Sequence, residues 1–145
     1  MRRVACVLSL LLALVGLLPS AVLGQSAGQE AQQQRFQLRQ NYPNPFNPET
    51  RIPFELYEDL FVDGKTAVVS LRIFNVLQQF VAAPTALNHP SGEARMINLE
   101  YSQPGQHEAY WDGLDLSGRQ VASGIYFVQI IVNGEKAILR MWVSK

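Results

Sequence analysis

Gly124-Ile125-Tyr126-Phe127-Val128-Gln129-Ile130-Ile131-Val132 runs into Asn133-Gly134, and Ala137-Ile138-Leu139-Arg140-Met141-Trp142-Val143 follows. Both runs are rich in branched and aromatic side chains, which suit a pleated, half-buried surface. Asn-Gly between them fits a two-residue type I′ turn, because both residues tolerate positive φ. This stretch reads as a β-hairpin. Upstream, Ala67, Val69, Leu71 and Ile73 alternate with Ser70 and Arg72. That period of two predicts a strand with one buried face. Ile52, Phe54 and Leu56 alternate in the same way, as do Phe36 and Leu38, and Phe80-Val81 and Glu108–Trp111 add two more short strands. No stretch after residue 24 keeps a helical period. About seven short strands with turn signals between them predict an all-β, immunoglobulin-like antiparallel β-sandwich. Its core is expected chiefly from the strand at 68–74 and the last hairpin. Pro84–Leu99 (PTALNHPSGEARMINL) has two prolines, a Ser-Gly and weak periodicity. It reads as a long loop insertion over 84–99, with Arg95–Leu99 as a short edge strand.

The chain opens differently. Arg2 and Arg3 precede the apolar run Val4–Leu18, then Pro19-Ser20. This is the layout of a secretory signal peptide, and small Val22 and Gly24 suit a cleavage site after Gly24. The alternative is a retained anchor, since Val4–Leu23 has the length of a bilayer span. Cys6 lies at the start of the apolar run, the wrong end for an acylated cysteine. Residues 25–35 begin QSAGQEAQQQ, without a large apolar side chain, and read as a flexible polar leader. The domain proper is expected over 36–145.

The whole sequence has 145 residues, 12 basic and 12 acidic side chains, 48% apolar residues and one cysteine. That apolar content excludes global disorder. Zero net charge lacks the electrostatic footprint of a nucleic-acid binder. One cysteine makes neither an internal disulfide nor a cysteine-built zinc site. Removal of 1–24 would leave no cysteine, so an exported domain must be held by its core alone.

Two motifs stand out. In the first, Asn41-Tyr42-Pro43-Asn44-Pro45-Phe46-Asn47-Pro48, three prolines impose a stiff, non-helical arm. Tyr42 and Phe46 are its expected apolar pegs, and Asn44 and Asn47 can each close a turn on the following backbone. The second holds Trp111, Asp112, Gly113, Asp115 and Gly118, and closes on Ser123, Gly124 and Tyr126. Asp112 and Asp115 are expected to accept backbone N–H bonds in a double turn, with Gly113 and Gly118 at positive φ. Trp111 is expected to be buried, its indole N–H bonded to a carbonyl. Asp-x-x-Asp supplies two ligands where calcium needs six to eight. No metal, no cofactor and no small-molecule substrate are expected.

Catalysis needs a positioned nucleophile, base or metal. His89 precedes Pro90 in the irregular segment, and His107 adjoins Glu108, whose side chain points to the opposite face of a strand. Glu58, Asp59 and Asp63 sit in a charged turn. These do not compose a catalytic set, so the chain is expected not to be an enzyme.

QNYPNPFNPET (Gln40–Thr50) followed by RIPFEL resembles the opening of the C-terminal sorting domains of the type IX secretion system, type A. VSLRIFNVL resembles that family's strand before a turn. WDGLDLSGRQVASGIYFVQI and the hairpin ending in RMWVSK resemble its second half, which is shared with the immunoglobulin-like domain of flagellar hook-capping proteins. The likeness covers about Phe36–Lys145. It departs at Gln78, where these domains usually turn on glycine, and at the 84–99 insertion. Such domains normally end a large cargo protein, whereas here only the signal segment and leader stand ahead. The resemblance implies a secreted, non-enzymatic module. It would direct outer-membrane translocation and surface attachment, and reside at the outer-membrane surface or outside the cell. Its partners would be the type IX translocon and the attachment machinery, with no nucleic acid. Candidate contacts are the Asn41–Thr50 arm and the Tyr126–Lys145 hairpin. The alternative is a structural or adhesive surface module without a sorting role, in which a sheet edge near 84–99 accepts a partner strand.

Overall fold

The computed structural model describes residues 34–145; the signal peptide assigned to 1–24 and most of the leader lie outside them. Nine strands follow in order: β1 Phe36–Leu38, β2 Thr50–Leu56, β3 Ala67–Asn75, β4 Phe80–Ala82, β5 Thr85–Leu87, β6 Leu99–Tyr101, β7 Gly105–Trp111, β8 Gly124–Val132 and β9 Glu135–Val143. Single 3₁₀ turns at Glu58–Leu60 and Val62–Gly64 join β2 to β3. One antiparallel sheet has the order β1-β2-β7-β5. The other has the order β4-β3-β8-β9, with β6 also paired to β3. This is the strand arrangement of an immunoglobulin-like sandwich.

Period two explains the layers. Ile52, Phe54 and Leu56 of the first sheet face Val69, Leu71, Ile73, Val128, Ile130 and Met141 of the second, all essentially free of solvent. Both sheets therefore contribute to the core. The last hairpin closes as expected, with Asn133 at φ 47 and Gly134 at φ 89, and β8 and β9 pair over their whole length.

The insertion is more ordered than its sequence suggests. Thr85–Leu87 forms the edge strand β5 against β7. The chain then doubles back over it. Ala86 N–H donates to the Ala94 carbonyl at 2.7 Å, Met96 N–H to the Pro84 carbonyl at 2.8 Å, and Thr85 and Arg95 form a bridge. The regular second pairing comes at Leu99–Tyr101, later than the expected 95–99. The two strands beyond the expected seven are β5 and β6, three residues each, which lie in and at the end of the stretch whose weak periodicity read as a loop. The β5 edge is covered by its own segment and is not an open strand edge. Met96 is fully buried, and Ser70, expected on the solvent side of β3, is buried and donates to Asn98 Oδ1 at 3.2 Å.

Turn chemistry decides one more feature. Gln78 takes φ 60 where a glycine would be usual, at a cost of about 1–2 kcal/mol for an L-residue. Asn75 holds the turn, its Oδ1 accepting the Leu77 and Gln79 N–H groups at 3.0 Å each.

Candidate functional site

Arm and double turn meet at one end of the sandwich. Arm residues lead out of β1 along the outer edge of β9. Arg35 pairs with Glu135, Gln40 Nε2 donates to the Arg140 carbonyl at 3.1 Å, and Phe46 and Val143 form a parallel bridge. Arg35, assigned by sequence to the leader, is thus already tied to the domain, and its carbonyl accepts the Tyr57 N–H. Phe46 N–H donates to the Trp142 carbonyl and Ser144 N–H to the Phe46 carbonyl, both at 3.0 Å. Asn44 does not close a turn on its own backbone. Its Oδ1 accepts the Trp142 N–H at 3.0 Å. The last strand thereby finds partners for backbone groups that an edge would leave open. Pro43, Pro45 and Pro48 all follow cis peptide bonds.

Only one of the two expected pegs is a peg. Phe46 is buried and stands edge-on to Trp111, centroids 5.4 Å apart. Trp111 meets Tyr126 at 5.8 Å. Tyr42 is 47% exposed on the outer face of the first sheet, where its backbone bridges Arg51 and its hydroxyl donates to Glu108. That carboxylate holds the Tyr42 phenol above its usual pKa. The amphipathic ring goes where its hydroxyl finds an acceptor. Asn47 and Pro48 are exposed.

Asn41 is the polar anchor, a role the sequence does not signal. It is buried, and its Nδ2 donates to the Pro43 carbonyl at 3.1 Å and to Thr50 Oγ1 at 3.0 Å. Thr50 Oγ1 donates in turn to the Pro43 carbonyl at 3.0 Å. Every donor in this knot has an acceptor, the condition for burying an amide without penalty.

The double turn forms as read. Asp112 Oδ1 accepts the Leu114 N–H at 3.0 Å, and Asp115 Oδ1 accepts Ser117 N–H at 2.8 Å and Arg119 N–H at 3.0 Å. The Ser117 hydroxyl and the Arg119 N–H hold the Asp115 carboxyl below its usual pKa. Trp111 Nε1 donates to the Leu114 carbonyl at 3.0 Å. Gly113 (φ 73) does more than turn. A Cβ there would lie 2.2 Å from the Pro48 carbonyl oxygen, so the turn and the arm touch backbone to backbone. Gly118 (φ 76) meets the turn's own demand. Ser123 Oγ accepts the Lys145 N–H at 3.1 Å. Tyr126, two residues beyond Gly124 at the start of β8, donates its hydroxyl to the Ala122 carbonyl at 3.0 Å. This is the tyrosine corner of immunoglobulin-like domains, and the motif's tyrosine belongs to it.

A hollow of about 230 Å³ lies against the double turn, lined among others by Arg95, Tyr110, Asp112 and Asp115. Its aspartates are spent on backbone N–H groups, and among the described residues no set of three or more His, Cys, Asp or Glu side chains could hold a metal ion. The two histidines, read as unrelated in sequence, flank one ring at the far end of the sandwich. Tyr101 lies 4.8 Å from His89 and 4.5 Å from His107, centroid to centroid. His89 Nδ1 accepts the Ser91 N–H, so Nε2 carries the proton donated to the Glu100 carbonyl at 2.9 Å. His107 Nε2 is enclosed and has no hydrogen-bond partner among the described residues. Burial lowers the His107 pKa, a backbone bond to Gln103 opposes this, and nearby His89 adds to it. Burial also pushes Tyr101 up to about 12.

No family model matches the chain, and no curated protein matches it. Solved structures match most of it. PorZ, an essential surface component of the type IX secretion system of Porphyromonas gingivalis, is 18% identical over 74% of this chain and 11% of its own, with a TM-score of 0.44. Dimeric latent PorU from the same bacterium is 18% identical over 74% of this chain and 9% of its own, with a TM-score of 0.49. The DNA-bound alkylpurine DNA glycosylase AlkC of Pseudomonas fluorescens is 14% identical over 77% of this chain and 31% of its own, with a TM-score of 0.48. The chain spans about a tenth of the length of the two Porphyromonas proteins it matches.

Proposed function

We propose that this chain is a non-enzymatic sorting and attachment module of type IX secretion, recognised as a folded surface at the outer membrane. Two things support the reading. One is the ordered resemblance of Gln40–Thr50, Trp111–Gly118 and Ser123–Tyr126 to the type A sorting domains. The other, which carries it, is that these separated motifs assemble into one object. The arm lies on the last strand through Phe46 and Asn44, and on the double turn through Pro48 and Gly113. A label read by machinery must present a fixed surface, and this contact fixes the arm and the last strand together. The module works by recognition and uses no chemistry of its own.

The test fuses Phe36–Lys145 behind a periplasmic reporter in a host with a working type IX system. The reporter is expected at the cell surface or in the medium, and only while the translocon is intact. A reporter that stays periplasmic overturns the reading.

A further inference from the structure

We propose that the outer face of the second sheet, with the Val76–Leu77 turn beside it, docks on an anionic lipid surface. This goes beyond the sorting reading and does not depend on it. Cross-strand register puts Phe80, Phe74, Phe127 and Arg140 in one row across the face, with Arg72, Gln129 and Ile138 in the next. Phe74 and Phe80 stand edge to face with ring centroids 6.0 Å apart. Phe74, Phe127 and Ile138 line a groove of about 500 Å³. Trp142, on the same face of β9, lies under the Arg140 guanidinium at 4.5 Å. At the end of β3 the Asn75-braced turn holds out Val76, 62% exposed, and Leu77, 73% exposed. A soluble face seldom keeps so much apolar surface in one place without a use for it.

Charge selects the partner. Arg72, Lys136 and Arg140 all lie on this face, and among the described residues none of them has a carboxylate within ion-pairing distance. β3, β4 and β8 carry no acidic residue, and Glu135 of β9 is turned to Arg35. Glu100 of β6 stands at the far end of the face, opposite Val68, and accepts the Thr66 hydroxyl. The opposite face of the sandwich is built otherwise, with Arg39 on Glu55 and Arg51 on Glu108. A second copy laid on this face would set three cations against three, so like-charge repulsion disfavours self-association. An anionic bilayer meets every feature together. Acyl chains take the two aliphatic tips, the interfacial zone takes the rings, and headgroup phosphates take the cations.

The segment 34–145 holds the hydrophobic core of the described residues and is suited to the test. It is sedimented with vesicles of phosphatidylglycerol and phosphatidylcholine in equal parts, and with phosphatidylcholine alone. The expected result is binding to the anionic vesicles, at least about tenfold weaker to the neutral ones, reduced by salt, with a blue shift in Trp142 emission while buried Trp111 is unchanged. Arg72→Gln and Arg140→Gln are each expected to weaken binding about fivefold, and Val76→Ser with Leu77→Ser to abolish the blue shift. All are exposed changes, and an unaltered cooperative melt identifies the variants to compare. Absence of binding, equal binding to both vesicle types, or binding indifferent to the arginine variants overturns the proposal. Binding to poly-L-glutamate in place of vesicles also overturns it and assigns the face to an acidic protein.

Discussion

The two ends of the sandwich solve the same closure problem in different ways. At the arm end, Phe46, Trp111 and Tyr126 fill the opening, and the polar groups around them are matched. Trp111 Nε1 meets Leu114, the Tyr126 hydroxyl meets Ala122, and Asn41 meets Pro43 and Thr50. At the far end the plug is a cluster of Phe54, Tyr101, His89 and His107 meeting edge-on or tilted, and one enclosed nitrogen has no partner among the described residues. Packing density is available to any aromatic cluster, but hydrogen-bond completeness requires particular partners in particular places. The arm end has it and is expected to be the rigid, recognised part of the domain.

The largest break in this contrast is Phe46→Ala. Removing a fully buried phenylalanine costs about 3–5 kcal/mol, and the loss frees the arm from Trp142 as well as from Trp111. A denaturant melt reads the cost, and new amide exchange at Trp142 and Ser144 reads the freed arm. Asn41→Ala comes next. It leaves the Pro43 carbonyl and the Thr50 hydroxyl one partner short, at about 1–3 kcal/mol, with no cavity as large as the first. A melt that scarcely moves would show that the knot does not hold the arm. The smallest effect lies at the other end. The His107 pKa is lowered on folding, so the unfolded chain takes a proton first as pH falls. Stability from this residue is whole above its unfolded pKa, near 6.5, and declines below that until the folded pKa is passed. The slope cannot exceed about 1.4 kcal/mol per pH unit for one proton. His107→Leu is expected to flatten that part of the profile, and denaturant midpoints between neutral and mildly acid pH check it.

Gln78 and the 84–99 segment mark where sequence reasoning meets its limit. The turn at Asn75–Gln78 is visible in sequence only as a departure from glycine, because Gln78 accepts positive φ in exchange for hydrogen bonds that Asn75 supplies. The doubling back of 84–99 over β5 has no period to read. Its strands are three residues long, and its anchor, Met96, is buried by the fold and not by its neighbours in the chain. In the site, Asp112, Asp115 and the two glycines were legible because they serve bonds within a few residues of themselves. Tyr42 misled because phenylalanine and tyrosine look alike as apolar pegs, and only the place of Glu108 distinguishes them.

Alternation and turn chemistry in the sequence are enough to determine a two-layer β-sandwich, the closing hairpin and the double turn after Trp111. Each depends on short-range stereochemistry, and a period of two or a positive φ is written into neighbouring residues. Tertiary structure alone decides that Pro48 rests on Gly113, that Asn44 serves Trp142, and that two distant histidines share one tyrosine. Those contacts join residues far apart in the chain, and their partners are chosen by which surfaces the packed sheets bring within a few ångströms.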